Sequence, residues 1–284
     1  MGARTSAVLS AVLVCLVAGC GGDSGSMTMS QDPVANLASG NWAFLPANPL
    51  AGSSISIPPF LGGSLMNNGG QLSADFLLAL PIFTACPLTT SSSFDVAFTG
   101  SLKGSQMTLT SSPWNSGMFT VTGTVATDGN SFGGSWSVKG GCADGASGTV
   151  TASYVPAVTG TWTGVLAPFP AQTSSPLTGS TATLQLVQAG QPTRFSFPLS
   201  GSITLSGSNC PFTSGTFIQL PGGDPLEPSS ITGDEITAEA QMNDGQSQVI
   251  AVAVPSSAGT WVMAMSVFGG VCDGATGTAT LTRQ

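Results

Sequence analysis

Apolar and polar residues alternate along most of this chain with a period of two, in short runs broken by glycine-rich turns. Leu72, Ala74, Phe76, Leu78 and Leu80 fall on one face of such a run. Phe119, Val121, Gly123 and Val125 fall on a face of another, opposite Thr120, Thr122 and Thr124. Successive side chains of a strand point to opposite faces, so this is the pattern of a sheet buried on one side and wetted on the other. Gly69-Gly70, Gly104, Asp128-Gly129 and Asp144-Gly145 supply turn signals between the runs. The pattern predicts strands near 41–45, 59–66, 71–80, 93–102, 106–111, 117–126, 132–140 and 147–155, joined as a meander of hairpins, with no helix of consequence.

The pattern then repeats. "GCADGASGTVTAS" at 141–153 answers "VCDGATGTATLT" at 271–282, and "SLKGSQMTLTS" at 101–111 answers "SITGDEITAEA" at 230–240. Gly104 and Gly233, like Asp144 and Asp273, stand at one constant offset of 129 residues. Upstream, "ACPL" at 85–88 answers "NCPF" at 209–212, and "GNW" at 40–42 answers "GTW" at 160–162, at smaller offsets. The second copy therefore carries insertions, one of them near "PGGDPLEPS" at 221–229. Two β-domains follow, repeat A over 39–156 and repeat B over 157–284, each long enough for its own core.

Composition narrows the chemistry. The chain has no histidine, which removes Ser-His-Asp and Cys-His catalysis and most zinc and non-haem iron sites. Charged residues make up 6%, five basic against thirteen acidic, with no basic cluster. Nucleic acid is thus a poor partner. No cofactor is expected.

Arg4 precedes a run from Ala7 to Ala18 that is nearly all Ala, Val and Leu, and Cys20 follows it. This is the pattern of a secretory signal segment, too short to span a membrane as a mature helix. Val17-Ala18-Gly19-Cys20 resembles the bacterial lipobox. That resemblance implies diacylglycerol on the Cys20 thiol, cleavage before it, and acylation of the new amine. Gly21 stands behind the cysteine where Asp would signal retention, which implies delivery to the outer membrane. Residues 1–19 are thus expected to be a signal peptide, and 20–38 a lipidated cysteine with a flexible tether. Two or three acyl chains, at ~0.8 kcal/mol per buried methylene, anchor stably where one is marginal.

Four cysteines remain, and four allow three connectivities. The repeat favours Cys86–Cys142 and Cys210–Cys272, as disulfides in an oxidising compartment. At the offset of 129, Cys142 faces Val271 and Cys272 comes one residue later, which suggests a one-residue bulge.

Eight strands joined by short turns favour an up-and-down barrel, with a β-sandwich as the alternative. Gly40-Asn41-Trp42 and Gly160-Thr161-Trp162 resemble the GxW that opens lipocalin and avidin-type barrels, in which the tryptophan packs the floor. As a whole the chain resembles uncharacterised bacterial lipoproteins built from tandem GxW…C…GGC-DG repeats. The resemblance covers nearly all of it and brings no activity.

Few residues suggest chemistry, and each has a plainer reading. Asp144 and Asp273 recur in both copies, but Asp-Gly is a favoured hairpin turn in which both positions take positive φ. Asp128-Gly129 and Asp244-Gly245 read the same way. Glu235 and Glu239 on one strand stand roughly 13 Å apart, beyond the ~5–9.5 Å of a glycosidase pair. Neither Lys103 nor Lys139 recurs in repeat B, so a Ser-Lys dyad is a poorer reading than solvated strand lysine. Trp114, at the tip of "SSPWNSG", is the plausible contact residue for a protein or glycan partner.

The inward faces carry Phe, Leu, Val, Met and Trp, enough to fill a small barrel. The expected function is accordingly non-catalytic: an envelope lipoprotein held to the membrane by its lipid and binding an unknown partner. The alternative is a lipocalin-like carrier of a small apolar ligand. Mass spectrometry of membrane-extracted protein should find Cys20 acylated at the mature N-terminus, and Cys20→Ser should release the protein from the membrane fraction.

Overall fold

The computed structural model describes residues 36–47, 60–79, 93–113, 116–170, 172, 174–219, 228–257 and 259–284. Cys20, residues 20–35 of the expected tether, Cys86, Trp114 and most of 221–229 lie outside them, whereas residues 36–38, also expected in the tether, belong to the first barrel, where Leu37 is buried in the core.

The first eight strands are β1 (Gly40–Ala47), β2 (Phe60–Asn68), β3 (Gln71–Ala79), β4 (Ser93–Lys103), β5 (Gln106–Ser111), β6 (Gly117–Val125), β7 (Ser131–Gly140) and β8 (Ser147–Tyr154). Each pairs antiparallel with the next, and β8 returns to β1 through Trp42↔Tyr154 and Phe44↔Ala152. The result is a closed barrel, so no strand edge is left for other chains to pair with. The sandwich alternative does not hold. Alternation decides what fills the ring: Leu72, Ala74, Phe76, Phe119, Val121 and Val125 are all buried. Ring contacts run through the interior from Phe44 to Phe76 (4.9 Å), Phe98 (5.3 Å) and Phe119 (6.0 Å), ending with Trp136 stacked on Phe119 at 5.4 Å. Each such side chain contributes about 1.5–3 kcal/mol by leaving water.

The second barrel repeats this plan with β9 (Gly160–Val165), β10 (Thr181–Gln188), β11 (Phe197–Ser206), β12 (Ser214–Phe217), β13 (Ser230–Thr232), β14 (Glu235–Met242), β15 (Gln248–Ser257), β16 (Thr260–Phe268) and β17 (Thr276–Arg283). Pairing of β10 with β11 and of β17 with β9 closes an eight-stranded ring. The insertion explains the extra strand. It divides the fourth wall strand into β12 and β13, which pair with different stretches of β11 and β14. Side chains patch the interrupted ladder. The Ser229 hydroxyl accepts from the Glu239 N–H and Gln219 Nε2 donates to the Leu199 carbonyl.

A disulfide joins Cys210 to Cys272. Its loops follow β11 and β16, which stand on opposite walls, so it crosses the barrel mouth above the buried Leu166, Leu177 and Phe212. Closing a loop between residues 62 apart is worth about 4 kcal/mol in the chain-entropy account.

Two expectations need correcting. No bulge accounts for the offset cysteine. Ser137↔Ser147 and Ser266↔Thr276 pair in the same register, and the hydrogen bonds Val138 N to Ala146 O and Val267 N to Ala275 O are equivalent. The two loops share one backbone, and in the second copy the cysteine simply occupies the place of Ala143. Nor do the Asp-Gly turns take positive φ at both positions. Asp144 has φ −53° and ψ 132° and Gly145 has φ 80°, which is a type II turn. The carboxylate supplies what the turn type does not: Asp144 accepts from Gly140 N–H at 2.6 Å, and Asp273 from Gly269 N–H at 2.8 Å.

The described residues belong to one compact unit, in which the outer wall of the first barrel seats on the base of the second. Asn41, buried, donates to the Gly233 carbonyl at 2.7 Å and accepts from the Gly233 N–H at 2.8 Å. Ser64 donates to the Arg194 carbonyl at 2.8 Å. Gly63 lies so close that an added Cβ would come within 2.8 Å of the Phe195 carbonyl oxygen. Arg194, held at φ 57°, reaches Asp95 at 2.5 Å. Burial and the nearby charge of Asp75 raise the Asp95 carboxyl above its usual range, against the lowering by Arg194. The ion pair therefore orients the seat more than it stabilises it. The neutral bonds of Asn41 matter more. Asn41→Ala should leave both Gly233 groups buried without partners and cost about 1–3 kcal/mol, read as a lowered urea midpoint.

Candidate functional site

Both barrels rest on their GxW motifs in the same way. The glycines, Gly40 and Gly160, have φ 141° and 142°, a region that side-chain-bearing residues rarely enter. The indole N–H of Trp42 donates to the Ala38 carbonyl, and that of Trp162 to the Val158 carbonyl, each four residues upstream. One hydroxyl further back, Ser39 or Thr159, accepts a backbone N–H from the second strand of its barrel. Both tryptophans are buried, as the motif implies.

The side chain that covers each tryptophan differs. It comes from the end of the last strand, at positions matched by the offset of 129: Tyr154 in the first barrel and Arg283 in the second. Tyr154 meets Trp42 edge-on at 6.1 Å. The Arg283 guanidinium lies 5.8 Å from the Trp162 ring centroid and donates to the Thr159 carbonyl. A neutral seal in one copy is a cation in the other.

That cation lines a cleft of about 660 Å³ where the base of the second barrel meets the flank of the first. Trp162 and Trp261 stand at its back, with ring centroids 6.3 Å apart. Tyr154, the connecting residues 155–158 and Leu45 form one side, and the β15–β16 turn forms the other. Asp234, in the turn between β13 and β14, supplies the one carboxylate. Burial raises the Asp234 carboxyl above its usual range, against a smaller lowering by a backbone hydrogen bond. Burial also raises neighbouring Glu235, and the charge of Asp234 adds to that. Among the described residues the ion pair present is Arg194–Asp95, so Asp234 and Arg283 each stand unpaired. A mostly apolar concavity between two bodies, with a few polar groups and a perturbed carboxyl, is what a small-molecule site looks like.

The residues singled out by sequence do not gather here. Asp144, Asp273, Asp128 and Asp244 are turn carboxylates occupied by backbone N–H groups. Glu235 and Glu239 share the outer face of β14, and Lys103 and Lys139 are exposed. No group of three metal-ligating side chains converges among the described residues. The one signal for the cleft was the repeat itself, which sets Tyr154 against Arg283 at the end of the aligned last strand.

No protein-family model and no curated protein matches the chain. It is similar to a crystal structure from Nostoc punctiforme of a protein with unknown function from the DUF3598 family, at 8% identity and a TM-score of 0.25. The match covers 88% of this chain and 97% of that one. A likeness at that level carries nothing about function.

A carboxyl raised by burial makes the ionised form a burden on the fold at neutral pH. The folded state binds the proton more tightly than the unfolded one, so this part of stability is regained as pH falls through the raised folded value toward the unfolded one. Asp234→Asn should therefore raise the melting temperature at pH 7. The gain should shrink on acidification and vanish below the ordinary aspartate range, as followed by circular dichroism melts from pH 7 to pH 3.

Proposed function

We propose that the chain is a lipid-anchored module of the bacterial cell envelope that binds a small, largely apolar ligand in the cleft between its barrels and catalyses nothing. Lipid on Cys20, with Gly21 behind it, would hold it at the outer membrane. The observation that carries the binding reading is where empty space lies. The interiors are occupied by buried Phe, Trp, Met and Leu side chains, and the bases are plugged by Trp42 and Trp162. The cleft lies outside both rings and carries two unpaired charges. Its residues offer one carboxylate and one guanidinium and no histidine or thiol, which supports binding over turnover.

One observation favours a second reading, the carrier. Trp136 Nε1 is buried inside the first barrel without a hydrogen-bond partner, and a buried donor left unmade costs about 1–3 kcal/mol. A ligand acceptor inside that ring would relieve it.

The neutral fluorophore N-phenyl-1-naphthylamine separates the two. On the cleft reading it binds saturably, and Ala157→Trp or Ser256→Trp, which fill the cleft, weakens binding at least tenfold while Trp136→Phe leaves it unchanged. Loss of binding in Trp136→Phe with none in the filling variants transfers the site to the barrel interior. Absence of saturable binding overturns both.

A further inference from the structure

Resting on the cleft as a binding site, we infer that its ligand is a short hydrophobic peptide with free ends, its ammonium on Asp234 and its carboxylate on Arg283. The cleft sets three conditions, and this chemistry meets all of them.

The first is charge. A half-buried carboxylate and an exposed guanidinium line one mostly apolar cleft without an ion pair among the described residues, so each keeps its charge for a ligand. A singly charged ligand satisfies one of them and shuts the other further away from water. A zwitterion satisfies both. Burial disfavours the Asp234 anion, and an arriving ammonium offsets that.

The second is geometry at each pole. Arg283 is held over Trp162 and bonded to Thr159, so its fork is already oriented. A guanidinium has five N–H donors, and a planar carboxylate takes two of them side by side. At the other pole a primary ammonium donates hydrogen bonds to Asp234. A quaternary ammonium cannot. It wants an aromatic face instead, and the face of Trp162 is already covered by Arg283.

The third is size. A roughly equidimensional space of this volume is about 9 Å across, and an extended chain advances ~3.3–3.6 Å per residue. Two or three residues fill it. Only a peptide that short brings both of its charged ends into one cleft, with apolar side chains against Leu45, Val155, Trp261 and Pro255. An internal segment of a longer protein brings neither end.

Titration calorimetry of the full mature protein with trileucine, N-acetyl-trileucine and trileucine amide tests this directly. Trileucine should bind, and blocking either end should weaken it roughly tenfold or more, the loss expected for a hydrogen bond to a charged group. Asp234→Asn should bind the free and acetylated peptides alike while still preferring acid over amide. Arg283→Gln should reverse that pattern, with Arg283→Lys restoring part of the preference for the acid if the glutamine variant folds poorly. Blocked peptides binding the wild type as tightly as the free one overturn the inference, and that outcome needs no variant at all. If the naphthylamine probe binds the cleft and trileucine does not displace it, the inference fails and the cleft remains. If the probe does not report a cleft site, the reading beneath it fails first.

Discussion

Each barrel closes over a tryptophan, and the tie between that indole and the chain just before it governs the rest of the architecture. An eight-stranded ring has room inside for side chains and little more, so one end must be stopped by something large whose polar atom is satisfied. Trp42 and Trp162 answer that demand by returning their N–H groups to carbonyls four residues back. The bond fixes the path by which each chain segment enters its barrel. In the second copy that segment is the connection from the first, and Val155 and Val158 are buried in the second core along with Ala43 from the first barrel's wall. The floor of one barrel thereby sets where the other stands.

Duplication then creates a difference that neither copy holds alone. A floor tryptophan exposes one face to the end of its ring, and the last strand covers it. With Tyr154 the cover is a second ring, and the base ends in apolar contact. With Arg283 the cover is an exposed cation 5.8 Å from the ring centroid, with donors left over for whatever lies beyond. What lies beyond is the flank of the first barrel. The same position therefore does structural work in both repeats, and in the second it also charges the wall of a cleft.

The local layers of this structure were legible because their causes are local. Period-two alternation located all eight strands of the first barrel to within a residue or two, from Gly40–Ala47 to Ser147–Tyr154, and the pairing of neighbours followed from the short turns where these join them. Cys210 and Cys272 were paired by the repeat. Turn type was harder to read. Asp144 keeps a negative φ because its carboxylate is bonded back to Gly140, a tertiary preference that outweighs the dipeptide's habit in hairpins. The split of the fourth wall strand was invisible for a related reason. Ser214–Phe217 and Ser230–Thr232 are too short for periodicity to register, and they stand in line only because β11 and β14 hold them there. The cleft was least legible of all. Its residues come from both barrels and the segment between them, and no sequence pattern encodes how one rigid body seats on another.

The seat and the cleft lie side by side, and their polar groups are treated in opposite ways. At the seat most polar groups meet: Asn41 exchanges two hydrogen bonds with Gly233, Ser64 donates to the Arg194 carbonyl, and Arg194 pairs with Asp95 Oδ2, while Asp95 Oδ1 is buried without a partner. Even the ion pair whose carboxyl is raised by burial is kept together, because removing one partner would leave the other uncompensated. In the cleft a carboxylate and a guanidinium remain apart against an apolar background. The junction thus draws one pair of opposite charges together at the seat and keeps Asp234 and Arg283 out of any ion pair among the described residues in the cleft.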